Sequence, residues 1–258
     1  MVKKENNKFS LFVPFFLLLI LCILIIGLKI LNEFKKVEKF EKKEIAKLYY
    51  PEIKPEISEK RRIEKTAEVA IIIDDIGWNL SIIKEIEKIN KPLTLSILPK
   101  APYSKEILKE LKDKNYELLL HLPLEPTPPS QSFDKGLIKV DMSEEEINNT
   151  FKDDIKDFLP YIKGINNHMG SLYTINEEKM RILLERVKEN NLFFVDSLTN
   201  PKSCGYKIAK EIGVKTRKRD IFLDISPDPE EINKKIDELL KIAKEKGSAI
   251  AIGHAKMQ

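Results

Sequence analysis

Val69-Ala70-Ile71-Ile72-Ile73-Asp74-Asp75-Ile76-Gly77 is the stretch on which the fold turns. Its five leading apolar residues form the continuous run typical of a strand buried on both faces. The run stops at two adjacent carboxylates, and a helical pattern follows through Asn90. The same cycle then recurs down the chain. Leu93–Leu98 reads as a strand closed by Pro99, Tyr103–Lys114 as a helix, and Glu117–Leu120 as a strand ending at His121. After a proline-rich loop, Ser143 and Glu146 make a capping box that opens a helix to about Phe158. Gly164–Asn167 is a short strand ending at His168, and Asn176–Asn190 a helix. Leu192–Val195 is a strand ending at Asp196, followed by a helix near 203–212. Val214 opens another short strand, Pro229–Lys246 is a helix, and Ala249–Ile252 is a strand ending at Gly253-His254. Strands alternating with helices at this spacing call for parallel βαβ units. Seven strands are expected, in an α/β fold that rolls into an open or closed barrel over residues 67–258.

The chain holds only three histidines, His121, His168 and His254, and each directly follows an expected strand. So do Asp74, Asp75 and Asp196. In parallel α/β architectures all strands point their C-terminal ends to one face, where sites assemble. Five separate segments therefore deliver imidazoles and carboxylates to one rim. Two histidine nitrogens and a carboxylate oxygen, with a position left open, form the ligand set of a catalytic zinc or related divalent ion. A second carboxylate beside the ligand can take a proton from water, and a histidine across the site can return one to a leaving group. This is equipment for metal-assisted hydrolysis of an amide or ester. Covalent hydrolysis fits less well, because no G-x-S-x-G elbow occurs and Cys204 has no histidine near it in sequence.

Ahead of this domain the composition changes. Residues 1–10 form a basic tail, and residues 11–31 carry an uncharged apolar core from Leu11 to Leu28, long enough to cross a bilayer. No small-residue cleavage pattern follows, so an uncleaved transmembrane signal anchor is expected. Residues 32–66 are a charged stalk, with 19 charged side chains between positions 33 and 65. The lysine-rich downstream flank pulls toward the cytoplasm by the positive-inside rule. Lysine is common throughout this chain, however, and short N-terminal tails usually stay inside, so the expectation is an exported, extracytoplasmic domain.

The charge balance divides the same way. Residues 1–66 carry 15 basic and 9 acidic side chains, whereas the rest carry 30 and 32. A nearly neutral domain gives no support to nucleic-acid binding. With nine glycines and no G-x-G pair, a glycine-rich nucleotide cradle is also missing. Cys22 and Cys204 alone cannot build a disulfide framework or a cysteine zinc site.

The quoted residues resemble a known family, the divergent polysaccharide deacetylases, a distant branch of the metal-dependent chitin and peptidoglycan deacetylases. The matching segments are Ile73–Gly77, His121–Pro126, Asn166–Ser171, Phe194–Ser197, Arg219–Asp224 and Ala251–His254. The resemblance implies a seven-stranded α/β barrel, one divalent ion (zinc the first choice), and de-N-acetylation of an acetylated amino-sugar glycan. It makes Asp75 and His121 metal ligands, Asp74 the general base, and His254 the histidine that protonates the leaving amine. The ordinary family draws its second metal histidine from H-x-x-x-H spacing, where this chain has Glu125. His168, from the next strand, is then the expected replacement. Asp196 would orient a histidine. Glu125 is a fourth ligand, a substrate contact or neither. Trp78 either stacks on a sugar or packs on the rim, and Asn167 either positions a hydroxyl or caps a turn. Arg219 either steadies Asp196 or Asp224 or makes a surface ion pair. Two other readings compete: an inactive or metal-assisted carbohydrate-binding module in cell-wall assembly, and a cytoplasmic small-molecule metallohydrolase.

Overall fold

The computed structural model describes residues 66–128 and 135–255, together with Glu33 and Lys36. The expected membrane anchor at 11–31, the tail at 1–10 and nearly all of the stalk lie outside the described residues. Among the described residues, no helix is long and apolar enough to cross a membrane.

The chain runs β1 (Glu68–Ile76), α1 (Ser81–Ile89), β2 (Thr94–Ile97), α2 (Ser104–Leu111), β3 (Glu117–Leu124), α3 (Glu144–Ile155), β4 (Gly164–Met169), a 3-10 turn (Tyr173–Ile175), α4 (Glu177–Glu189), β5 (Phe193–Asp196), α5 (Gly205–Ile212), β6 (Thr216–Lys218), β7 (Ile221–Phe222), α6 (Pro229–Lys246) and β8 (Ser248–His254). The strands form one sheet in the order β6-β5-β4-β3-β2-β1-β8-β7. All seven pairings in it are parallel.

Eight strands replace the seven expected. The additional one, β7, pairs only Ile221 and Phe222 with Ala251 and Ile252. Two residues leave no periodicity to detect, so only pairing defines this strand. The strands also run past their expected ends. His121, His168, Asp196 and His254 lie inside β3, β4, β5 and β8 rather than beyond their ends. The rim they share is therefore part of the sheet.

Strand order shows how the sheet curls. β6 and β7 are its two edges, yet only Arg219 and Asp220 separate them in sequence. Three Cα–Cα steps of 3.8 Å span at most about 11 Å, so the two edges must come together. The result is a barrel left unpaired at the β6–β7 seam. Side chains bridge the gap: Arg217 donates to Ser248 Oγ at 2.6 Å, and Asp220 Oδ2 accepts from the Ile250 N–H at 2.9 Å. Inside, Ile72, Leu119, Val195, Ile250 and Ile252 form one buried cluster drawn from β1, β3, β5 and β8. At the end away from the histidines, a cavity of about 330 Å³ is lined by Ile72, Leu119, Val195 and Ile250 of that cluster.

The helices cover the barrel and start where local chemistry dictates. Ser143 and Glu146 close both hydrogen bonds of the capping box at α3, which turns its Ile147, Phe151 and Ile155 inward. α6 opens on Asp228 with Pro229 in its first turn and ends on Gly247 in the left-handed conformation. These connections return each chain segment to the bottom of the next strand and leave the βα loops to shape the rim.

Candidate active site

In a regular strand, consecutive side chains point to opposite faces, so Asp74 and Asp75 should diverge. The structure avoids this with a bulge. Ile73 pairs with Leu95 and Ile76 with Ile97, three steps on β1 against two on β2. Asp75 takes up the extra residue in the left-handed region, at φ 61. Met169 (φ 53) after His168 and Leu198 (φ 50) after β5 adopt the same unusual conformation for non-glycine residues. Backbone strain of this kind gathers at functional sites. Here it lets both carboxylates approach one imidazole: His121 Nε2 is 3.2 Å from Asp75 Oδ1 and 3.6 Å from Asp74 Oδ2.

His168 Nδ1 lies 2.9 Å from the same Asp75 oxygen, and the two imidazole rings meet edge to face at 4.8 Å. One donor atom each from Asp75, His121 and His168 can be chosen so that all lie within 4.8 Å of one another. Asp75 Oδ1 is buried, and no donor is directed at it in hydrogen-bond geometry. A buried carboxylate oxygen facing two ring nitrogens, yet lacking a well-formed hydrogen bond, fits a divalent cation. The residues present therefore suit the metal that the resemblance implies.

Around this trio lies a second set of contacts. Asp74 is buried and pairs in register with His254 across β1 and β8. Its two carboxylate oxygens each lie 2.9 Å from Asn166 Nδ2. His254 stands on the opposite side of β1 from β3 and β4. Its Nδ1 is 2.9 Å from Asp224 Oδ1, and its backbone N–H donates to Asp224 Oδ2 at 2.9 Å. Asp224 thus grips both the ring and the backbone of His254 and leaves Nε2 for another partner. Phe222 packs against the imidazole at 5.4 Å, and the Arg219 guanidinium stacks on Phe222 at 3.6 Å.

The electrostatics follow from burial working against these contacts. Burial pushes the Asp74 carboxyl up, a rise only partly offset by His121 and by the Asn166 amide. Burial acts on Asp75 in the same direction, but the close approach of the His121 and His168 rings outweighs it and holds that carboxyl well below the usual range. Burial would lower His121, yet Asp74 and Asp75 together raise it. At His168 burial prevails and lowers the imidazole. At His254 burial is overcome by Asp224, which raises it.

The remaining candidates fall elsewhere. Asp196 orients no histidine. Its carboxylate accepts from the Leu198 and Tyr206 N–H groups and from Ser203 Oγ, so it organises the loop from β5 into α5. Glu125 is outside the ligand trio, and its Oε2 accepts from the Val140 N–H at 2.8 Å. Asn167 is buried, accepting from the Ser197 N–H and donating to the Met169 carbonyl. Arg219 donates to the carbonyls of Ser197 and Leu198, neither to Asp196 nor into a surface ion pair. Trp78 packs on Leu98 and Ala101 at the rim. These five build the loops that frame the site. Two residues in direct contact with it, Asn166 and Asp224, carried no role in the sequence reading. Both lay inside quoted motif segments, and only their spatial partners distinguish them from their neighbours.

A parallel α/β barrel carries an Asp-His-His cluster at the C-terminal rim of its sheet, a donor set of the kind that can hold a divalent ion. Residues 71–258 match the family model for divergent polysaccharide deacetylases, and the chain belongs to that family. A Haemophilus influenzae protein is 36% identical over 193 residues, covering 74% of this chain and 67% of its own length. The Escherichia coli protein YibQ is 32% identical over 186 residues, covering 72% of this chain and 58% of its own length. Both relatives are described only as uncharacterized proteins. The fold resembles the crystal structure of an uncharacterized protein from Agrobacterium tumefaciens C58, with a TM-score of 0.68 and 19% identity over 78% of this chain and 80% of that one. A protein from Enterococcus faecalis V583 is more distant, with a TM-score of 0.53 and 18% identity over 75% and 82%. At such identities the two structures speak to the fold alone.

Proposed function

We propose that this domain is a metal-dependent hydrolase that removes N-acetyl groups from an amino-sugar polysaccharide of the cell envelope. The observation that carries the reading is the convergence of Asp75, His121 and His168, flanked by Asp74 on one side and His254 on the other. Asp75, His121 and His168 would hold one divalent ion, with zinc favoured by the two imidazoles and one carboxylate. When bound, such an ion supplies Lewis-acid polarisation of the acetamide carbonyl.

The chain's own groups supply proton transfer. Asp74, steadied by Asn166, takes a proton from the water that attacks the acyl carbon. His254 enters protonated, a form that Asp224 favours, and delivers a proton to the departing nitrogen as the C–N bond breaks. The products are acetate and a free amine. A purely binding role would need neither an additional carboxylate beside the ligands nor a histidine held by an aspartate.

Metal content of the purified full-length chain, compared with His121→Ala and His168→Ala, tests this reading. About one divalent ion per wild-type chain, lost in both variants, is expected, with acetate release from acetylated glycans following the metal. A folded chain that takes up no zinc, cobalt or nickel would overturn it. We further propose that residues 11–31 anchor the protein in the bilayer with the domain outside the cytoplasm. Added protease should then cleave the domain in spheroplasts, whereas protection until lysis would place it inside.

A further inference from the structure

We infer that Asn166 is a positioning residue that couples the candidate base to a metal ligand, by fixing which nitrogen of His121 faces the cluster. The inference rests on the reading of Asp75, His121 and His168 as a metal site and goes beyond it. Asn166 lies fully buried in β4, at the centre of five polar contacts. Its Nδ2 is 2.9 Å from both Asp74 oxygens and 3.2 Å from Ser197 Oγ. Its Oδ1 is 2.5 Å from Ser96 Oγ and 3.0 Å from His121 Nδ1.

Donor and acceptor chemistry determines which way this amide points. A carboxylate only accepts, so the group facing both Asp74 oxygens is the NH₂: one hydrogen is shared across the carboxylate and the other goes to Ser197. The amide oxygen is thereby turned toward Ser96 and His121. An amide oxygen only accepts, so His121 must carry its proton on Nδ1. That leaves the lone pair on Nε2, the nitrogen 3.2 Å from Asp75 Oδ1. The order of dependence is Asp74 to Asn166 to His121. A metal-ligating imidazole commonly gives its other N–H to a carboxylate, a backbone carbonyl or water. Here a side-chain amide takes that place and is itself oriented by the neighbouring base. The Ser96 hydroxyl, also buried, donates to the same oxygen and holds it there.

With only three histidines, ¹⁵N-histidine labelling of the zinc-loaded full-length chain gives a spectrum simple enough to follow His121 directly. In the wild type, a protected Nδ1–H resonance is expected from His121. Asn166→Ala should lose that protection to solvent exchange and weaken zinc binding by about 10–100-fold. Asn166→Asp retains an acceptor at the same place, so the resonance should persist and move downfield, because a carboxylate accepts more strongly than an amide. A folded Asn166→Ala chain with unchanged resonance and unchanged zinc affinity would overturn the inference and leave the metal site standing. If Asn166→Ala does not fold, Asp74→Ala decides: without the carboxylate that orients the amide, a weakened or exchange-broadened His121 Nδ1–H resonance supports the coupling, and an unchanged resonance with unchanged zinc affinity refutes it. A wild-type chain that takes up no zinc removes both the site and the coupling.

Discussion

Asp154 on α3 is a buried carboxyl outside the site, with Lys100 Nζ 3.6 Å from Oδ1. Neither oxygen has a hydrogen-bond partner among the described residues. Burial pushes its pKa up to about 7, against the pull of Lys100 and with a further push from Asp153. The folded protein therefore holds this proton at pH values where the unfolded chain has released it. Stability should fall as pH rises from about 4 to 7, by up to about 4 kcal/mol from this group alone. Asp154→Asn should flatten that part of the stability–pH curve in denaturant titrations. His254 obeys the same logic with a catalytic readout. Its pKa is raised, so the protonated form that would deliver a proton in the proposed hydrolysis is lost only as pH climbs through the raised value. Asp224→Asn keeps an acceptor but removes the charge. The alkaline limb of the turnover profile should move to lower pH, and turnover at pH 8 should fall by about 10–100-fold.

At the scale of elements, the bulge at the end of β1 and the capping box at α3 respond differently to mutation. Removing the Ser143 hydroxyl deletes a cap and should cost about 1 kcal/mol in thermal or denaturant unfolding, with metal uptake unchanged. Gly77 follows the bulge at φ 146, where a side chain is strained, and an added Cβ would stand 2.6 Å from Ala101 Cβ. Gly77→Ala should therefore displace the turn that carries Asp75 and reduce metal uptake as well as stability. The cap was legible in sequence because its partners are three residues apart. The bulge was not, since it exists only relative to the register of β2. Likewise the additional strand β7 is defined only by pairing with β8, and the true strand ends only by hydrogen bonds to their neighbours.

At the scale of the whole molecule, closure depends on the two residues between the sheet's edges. Asp220 stands in for a missing strand partner: its N–H donates to the Ile250 carbonyl at 2.9 Å, and its carboxylate accepts from the Ile250 N–H and from Lys246. Asp220→Ala leaves that N–H without its acceptor and should cost about 1–3 kcal/mol. Hydrogen exchange at Ile250 should quicken more than at amides in β3 or β4, far from the seam.

The sequence by itself determined the α/β alternation, the parallel direction of the strands and the single rim where Asp74, Asp75, His121, His168 and His254 meet. Those properties follow from local periodicity and from the rule that parallel strands end together. Only the tertiary structure decided that Asn166 and Asp224 touch the site while Asp196 and Glu125 serve the loops. It also decided that two adjacent aspartates face one imidazole, and that the barrel closes through Arg219 and Asp220. Each of these depends on partners distant in sequence, where direction and register, rather than residue type, decide which atoms meet.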